Sequence, residues 1–181
     1  CRDEVQKYAG KGYRVLLFGK YEGELDGERL RDKVIPYGYI LLANPIRQEA
    51  PETFAYFAEQ GVDVKVISGD NPLTVSEVAK EAGIKNTDRY IDASTLRTEE
   101  ETAEAIAEYT VFGRVTPAQK RQFVQALKAQ GRTVAMTGDG VNDVLALKDA
   151  DCSVAMASGS DAAVQASQVV LLESNFACMP S

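Results

Sequence analysis

A short apolar run, Arg132-Thr133-Val134-Ala135-Met136, opens directly into Thr137-Gly138-Asp139-Gly140-Val141-Asn142-Asp143. No other stretch restricts the possible folds of this chain as tightly. Glycine frees the backbone to turn sharply after the run. A strand ending in such a turn sets Asp139 and Asp143 at the C-terminal edge of an α/β sheet, where ligands bind. Two carboxylates four residues apart suit Mg²⁺, which takes oxygen ligands and commonly shares them with a substrate phosphate. Asn142 adds a neutral amide donor for a phosphate oxygen. A plain helix cap needs one Asp or Asn. The three in this turn point to a site instead.

The rest of the sequence alternates strand-like and helix-like segments. Strands are expected at 13–18, 37–42, 62–67, 110–115, 132–136, 152–156 and 168–172. Helices are expected at 51–60, 72–82, 99–108, 117–129, 141–149 and 161–166, several of them announced by an Asn-Pro or Thr-Pro start and a Gly stop. Repeated βαβ units predict an α/β fold with a doubly wound, mainly parallel, Rossmann-like sheet. Asn44-Pro45 breaks the pattern as a hinge. It divides the chain into residues 1–43 and residues 44–181.

Composition removes several classes of function. The formal charge is -7, from 20 basic and 27 acidic residues, which argues against nucleic acid as a partner. No apolar run approaches the roughly 18 residues of a membrane span. There is no histidine, so imidazole chemistry is excluded. Cys1, Cys152 and Cys178 lack metal-ligand spacing and read as free thiols of a reducing compartment. With no signal peptide and a start on Cys1, the chain reads as an excised piece of a longer protein.

Two further segments end at the edge where the Gly-Asp turn is expected. Residues 64–67 feed Ser68-Gly69-Asp70, a hydroxyl and free amides ahead of a helix start, which suits a phosphate. The run Val111-Phe112-Gly113-Arg114-Val115 leads into Thr116-Pro117-Ala118-Gln119-Lys120. Lys120 falls in the first turn of a helix, where a cation opposes the dipole and contributes little or negative stability. It makes sense there if it faces an anion. Arg47, just after Asn44-Pro45-Ile46, serves either the hinge or the surface.

Ser68-Gly69-Asp70, the run from Val111 to Lys120 and the run from Thr137 to Asp151 together resemble the phosphorylation domain of P-type cation-transporting ATPases, members of the haloacid dehalogenase-like superfamily. The tail, from Gly159-Ser160-Asp161 through residues 169–172 to Asn175-Phe176, is similar to the stretch that leads back toward the membrane in these pumps. The resemblance implies a catalytic set of Lys120, Ser68, Gly69, Asp70, Asn142 and Asp143, and Mg²⁺ held by Asp139 with Asp143. Lys120 would neutralise an aspartyl phosphate, and Ser68 and Gly69 would bind its oxygens. Asp70 and Arg114 would stand near the nucleotide domain. Arg14, Arg114 and Arg47 are the candidates for the ATP side, and residues 1–43 would be the last part of the nucleotide-binding domain. ATP would be the substrate, and the remainder of the pump the partner, at the cytoplasmic face of a membrane.

The sequence departs from the family pattern in three places. Ser68 stands where the family has Thr, Asn44 stands where it has Asp, and the Asp-Lys-Thr-Gly-Thr motif with the phosphorylated aspartate is absent. The resemblance therefore implies a sheet without its nucleophile strand, an isolated chain with no ATPase activity, and a raw sheet edge prone to self-association. Two alternatives remain open at this point: a fragment of a soluble haloacid dehalogenase-type phosphatase, and a non-catalytic binding module on the same fold.

Overall fold

The computed structural model describes residues 2–23, 30, 32–43 and 45–179. Helix α1 (Arg2–Ala9) leads into an antiparallel hairpin of β1 (Arg14–Lys20) and β2 (Ile35–Leu42). Then come α2 (Ala50–Glu59), β3 (Val66–Ile67), α3 (Pro72–Glu81), β4 (Tyr90–Asp92), α4 (Glu99–Glu108), β5 (Val111–Gly113) and α5 (Pro117–Ala129). The chain closes with β6 (Ala135–Thr137), α6 (Val144–Asp149), β7 (Cys152–Met156), α7 (Asp161–Ala166) and β8 (Val169–Leu171). No helix among the described residues is long and apolar enough to cross a membrane.

Local chemistry sets the helix boundaries. Asn71 accepts from the Leu73 amide and Pro72 takes the first turn of α3. Thr98 with Glu101, and Thr116 with Gln119, form reciprocal capping boxes at the starts of α4 and α5. Gly83, at φ +85°, and Gly131, at φ +78°, stand just past the ends of α3 and α5 in the left-handed conformation that favours glycine.

The α/β class with parallel strands is as the sequence predicts. The parallel strands divide into two three-stranded sheets, in the orders β4-β5-β3 and β6-β7-β8. Among the described residues β3 and β6 therefore each pair on one side only. Several strands are shorter than the apolar runs that predict them: 62–67 yields Val66–Ile67, and 132–136 becomes Ala135–Thr137. A run becomes ladder only where a neighbour is in register, and these two are end strands. Predicted helix 141–149 opens with a 3₁₀ turn over Val141–Asp143 before α6. Helix α1 and strand β4 escape sequence reading, because eight polar-rich residues and a three-residue strand are too short for a periodic signal.

Helix α5 joins the two sheets. Its Phe123 packs with Ala93, Ile106 and Phe112, while its Val124 packs with Val134, Ala146 and Ala150. The Phe112 and Phe123 rings lie 4.7 Å apart and both side chains are fully buried. The expected hinge residue Asn44 and the terminal Cys1 lie outside the described residues. Cys152 and Cys178 form no disulfide with each other.

Candidate active site

The first group of predicted residues gathers where β3 ends. The Ser68 amide donates to the Phe112 carbonyl at 2.9 Å, and the Val115 amide donates to the Ser68 carbonyl at 3.0 Å. These bonds carry the β3–β5 ladder up to the turn. The Ser68 Oγ accepts from the Asp70 amide at 3.1 Å, which folds Ser68-Gly69-Asp70 into a hydroxyl-closed turn. That leaves the Ser68 hydroxyl hydrogen free to donate. A Cβ on Gly113 would stand 2.3 Å from Pro72 Cα, so only glycine lets the start of α3 lie against the end of β5. The Asp70 carboxylate faces Arg14 of β1 at 3.4 Å, and its carbonyl accepts from the Arg114 amide at 2.7 Å. Arg114 has φ +52°, a conformation uncommon for a residue with a side chain. Its Nη1 donates to Asp92 Oδ2 at 2.5 Å.

The second group gathers after β6. The Lys120 Nζ donates to Asp143 Oδ1 at 2.6 Å, and the Gly140 amide donates to Asp143 Oδ2 at 3.1 Å. The Lys120 and Asp143 side chains are only 16% and 8% exposed, so this ion pair is largely withdrawn from water. A Cβ on Gly138 would stand 2.6 Å from Asp143 Cβ. Glycine at 138 therefore lets Asp143 tuck under the turn. The Asp139 backbone carbonyl accepts from the Ser160 amide at 2.7 Å. Its exposed carboxylate takes no hydrogen bond or ion pair among the described residues. Asn142 is exposed on the 3₁₀ turn.

Lys120 faces an anion that the chain itself supplies: its ammonium pairs with the buried carboxylate of Asp143. The two groups connect through the chain, since Val115 bonds Ser68 and the next residue, Thr116, caps the helix that carries Lys120. Arg47 joins neither group. Its Nη2 donates to the Ser174 carbonyl at 3.2 Å, beside the Asn175–Glu49 hydrogen bond at 2.9 Å, where the tail meets the start of α2.

Asp92 is the participant that sequence reasoning missed. It ends a three-residue strand too short to detect, although an Asp followed two residues later by Ser94 is a local cap signal. Its Oδ1 accepts from the Ser94 amide at 3.0 Å and from Ser94 Oγ at 2.6 Å. Burial works against its ionisation, but the bonds from Ser94 and Arg114 outweigh that and hold its carboxyl below the ordinary value.

Comparison with known proteins adds the following. A family model described as "Hydrolase: haloacid dehalogenase-like hydrolase" matches residues 3–151. The calcium-transporting ATPase CtpE of Mycolicibacterium smegmatis is 47% identical over 98% of this chain and 22% of its own length. A probable cation-transporting ATPase, exp7, of Streptococcus pneumoniae is 42% identical over 98% of this chain and 23% of its length. The chain thus spans about a fifth of the curated relatives it matches. Among solved structures, a zinc-transporting PIB-type ATPase in its E2.Pi state superposes with a TM-score of 0.62 at 23% identity, covering 96% of this chain and 22% of that one. At that identity the likeness concerns the fold.

Proposed function

The chain belongs to the haloacid dehalogenase-like hydrolase family, and from that premise we propose that it is the charge-stabilising part of the phosphorylation site of an ATP-driven cation pump. The observation that carries this reading is the buried Lys120–Asp143 pair beneath the Gly138-Asp139-Gly140 turn. The cation-transporting ATPases that match nearly the whole chain support it. So does the division of the parallel strands, which leaves β3 and β6 as end strands that a further strand of the same protein would join. That strand would bring the nucleophilic aspartate. The pump's other domains would be the partners, and this part would lie at the cytoplasmic face of the membrane.

The residues have separate tasks in this mechanism. Asp143 engages one of the three Lys120 ammonium hydrogens and leaves two to face a phosphoryl group. The pair is fixed before the substrate arrives, so its charge costs little reorganisation as phosphoryl transfer proceeds. Ser68 donates its hydroxyl hydrogen to a phosphoryl oxygen, and Gly69 offers its amide. Asp70, with Arg14 and Arg114 beside it, faces the nucleotide. The donor set suits Mg²⁺: Asp139 is an exposed carboxylate with no competing partner among the described residues, whereas both Asp143 oxygens are already engaged. Mg²⁺ held by Asp139, with Asp143 behind it, would supply charge neutralisation.

The test is acid-stable labelling from γ-labelled ATP. The intact protein that contains this chain should form a hydroxylamine-sensitive phosphoenzyme, and the 181-residue chain alone should form none. Lys120→Ala in the intact protein should slow phosphoenzyme formation on the order of 100- to 1000-fold. A rate within a few-fold of wild type, measured where the variant is still folded, would sink the role given to Lys120.

A further inference from the structure

Building on the proposed nucleotide role of Arg114, we infer that Asp92 is the positioning residue that fixes this guanidinium at the sheet edge before nucleotide arrives. The strand register sets up the contact. Asp92 lies opposite Gly113 in the parallel β4–β5 pairing, so its carboxylate stands beside the residue that precedes Arg114. The backbone of Arg114 is held left-handed, with its amide on the Asp70 carbonyl. That fixes the Cα but not the long side chain beyond it. Asp92 supplies the second anchor, with Oδ2 on Nη1 at 2.5 Å.

The carboxylate is itself held in place, because its other oxygen accepts twice from Ser94. Each oxygen therefore has one job, one toward the 3₁₀ turn and one toward the arginine. Only Nη1 of Arg114 is engaged among the described residues, so Nε and Nη2 keep their hydrogens for a ligand. The two side chains are 25% and 54% exposed, and solvent screening makes such a pair a weak source of stability. Its effect is on order: an arginine already held in one rotamer loses less freedom when it binds. The ligand it serves is a nucleotide, through oxygen acceptors within reach of the free guanidinium edge.

Asp92→Asn separates this role from simple capping. The amide oxygen still accepts from Ser94, while the amide nitrogen opposes Arg114 instead of attracting it. In the intact protein, affinity for a non-hydrolysable ATP analogue is read by calorimetry, and phosphoenzyme formation is read at saturating ATP. Asp92→Asn should weaken analogue binding about tenfold, with the saturated rate within about twofold and the melting midpoint within about 2 °C. Asp92→Glu should restore part of the affinity. Arg114→Ala should weaken binding at least as much, and adding Asp92→Asn to it should change nothing further. If Arg114→Ala weakens binding but Asp92→Asn does not, the positioning role is overturned while the Arg114 assignment survives. A double variant weaker than either single one also overturns it. If Arg114→Ala has no effect, or the wild type does not bind the analogue, the nucleotide reading of this edge fails and the inference falls with it.

Discussion

The hairpin and the central parallel strands β5 and β7 are all apolar runs, yet they end in opposite surroundings. All three residues of β5 are buried, whereas no residue of β1 or β2 is. Leu16, Leu17 and Phe18 are consecutive, so they point to alternate faces, and they remain 43%, 50% and 57% exposed. One face of the hairpin is partly covered by the short helix α1, whose Tyr8 ring lies 6.4 Å from that of Tyr39, and no residue of either strand is fully withdrawn from water. The hairpin ladder is nonetheless continuous, from Arg14 opposite Leu42 to Lys20 opposite Ile35 with one irregularity at Phe18/Gly19. Pairing is satisfied by two strands alone, but burial needs a second layer. In the parallel half α5 supplies that layer to both sheets at once, whereas the hairpin has only the eight-residue helix α1 against it.

The largest expected effect tests this contrast directly. Phe112→Ala empties a fully buried site against Phe123 and should cost about 3–5 kcal/mol. Phe18→Ala removes a ring that is already mostly in water and should cost less than about 1 kcal/mol. Urea denaturation of the chain measures both. Equal costs would break the comparison and mean that the hairpin is covered in solution, for instance by a second copy.

The ion pairs sharpen the same contrast at a smaller scale. Lys120–Asp143 lies inside the parallel half, with little exposure on either side. Removing one partner strands a buried charge, so Lys120→Ala should destabilise by about 3 kcal/mol. Arg14–Asp70 joins the hairpin to the parallel half, but its side chains are 62% and 44% exposed. Arg14→Ala should therefore change stability by less than about 1 kcal/mol. Double-mutant cycles on each pair separate coupling from packing. A coupling for Arg14–Asp70 as large as that for Lys120–Asp143 would show the hairpin docked far more firmly than its exposure implies.

The contrast also explains what could be read in the sequence. Helices announced themselves through Asn71-Pro72, Thr116-Pro117 and Gly131, because caps and stops are local chemistry. The Asp139–Asp143 turn was legible for the same reason. The contact between Lys120 and Asp143 joins two elements 23 positions apart, and the residue types hinted at it only through a cation in an unfavourable place. The apolar runs 62–67 and 132–136 exceed the strands they form, since an apolar run cannot show whether a neighbour is in register. Asp92 was invisible because its importance comes from facing Gly113 across a strand pair. The exposure of the hairpin was equally hidden: alternation shows that a strand has faces, not whether anything covers them.

Acid should produce the smallest effect, and it falls on the parallel half. Asp149, at the end of α6, accepts from Arg121 Nε and Gln125 Nε2 of α5, each at 2.7 Å. The Arg121 bond is the main cause that holds the Asp149 carboxyl below its ordinary value, against the opposing effect of burial. The Val134 amide, and then Lys128, do the same for Asp151. A carboxyl depressed in the folded state binds its proton more weakly there than in the unfolded chain. Its contribution is therefore fully present above the unfolded value near pH 4 and fades as pH falls through the lower folded value. Urea midpoints should drop between pH 5 and pH 3, and Asp149→Asn should flatten part of that drop while leaving hydrogen exchange in the β1–β2 ladder unchanged. The change should be small, because Arg121 is half exposed and water screens the pair. If Asp149→Asn keeps the full acid slope, the α5–α6 contact is not where the parallel half loses stability to acid.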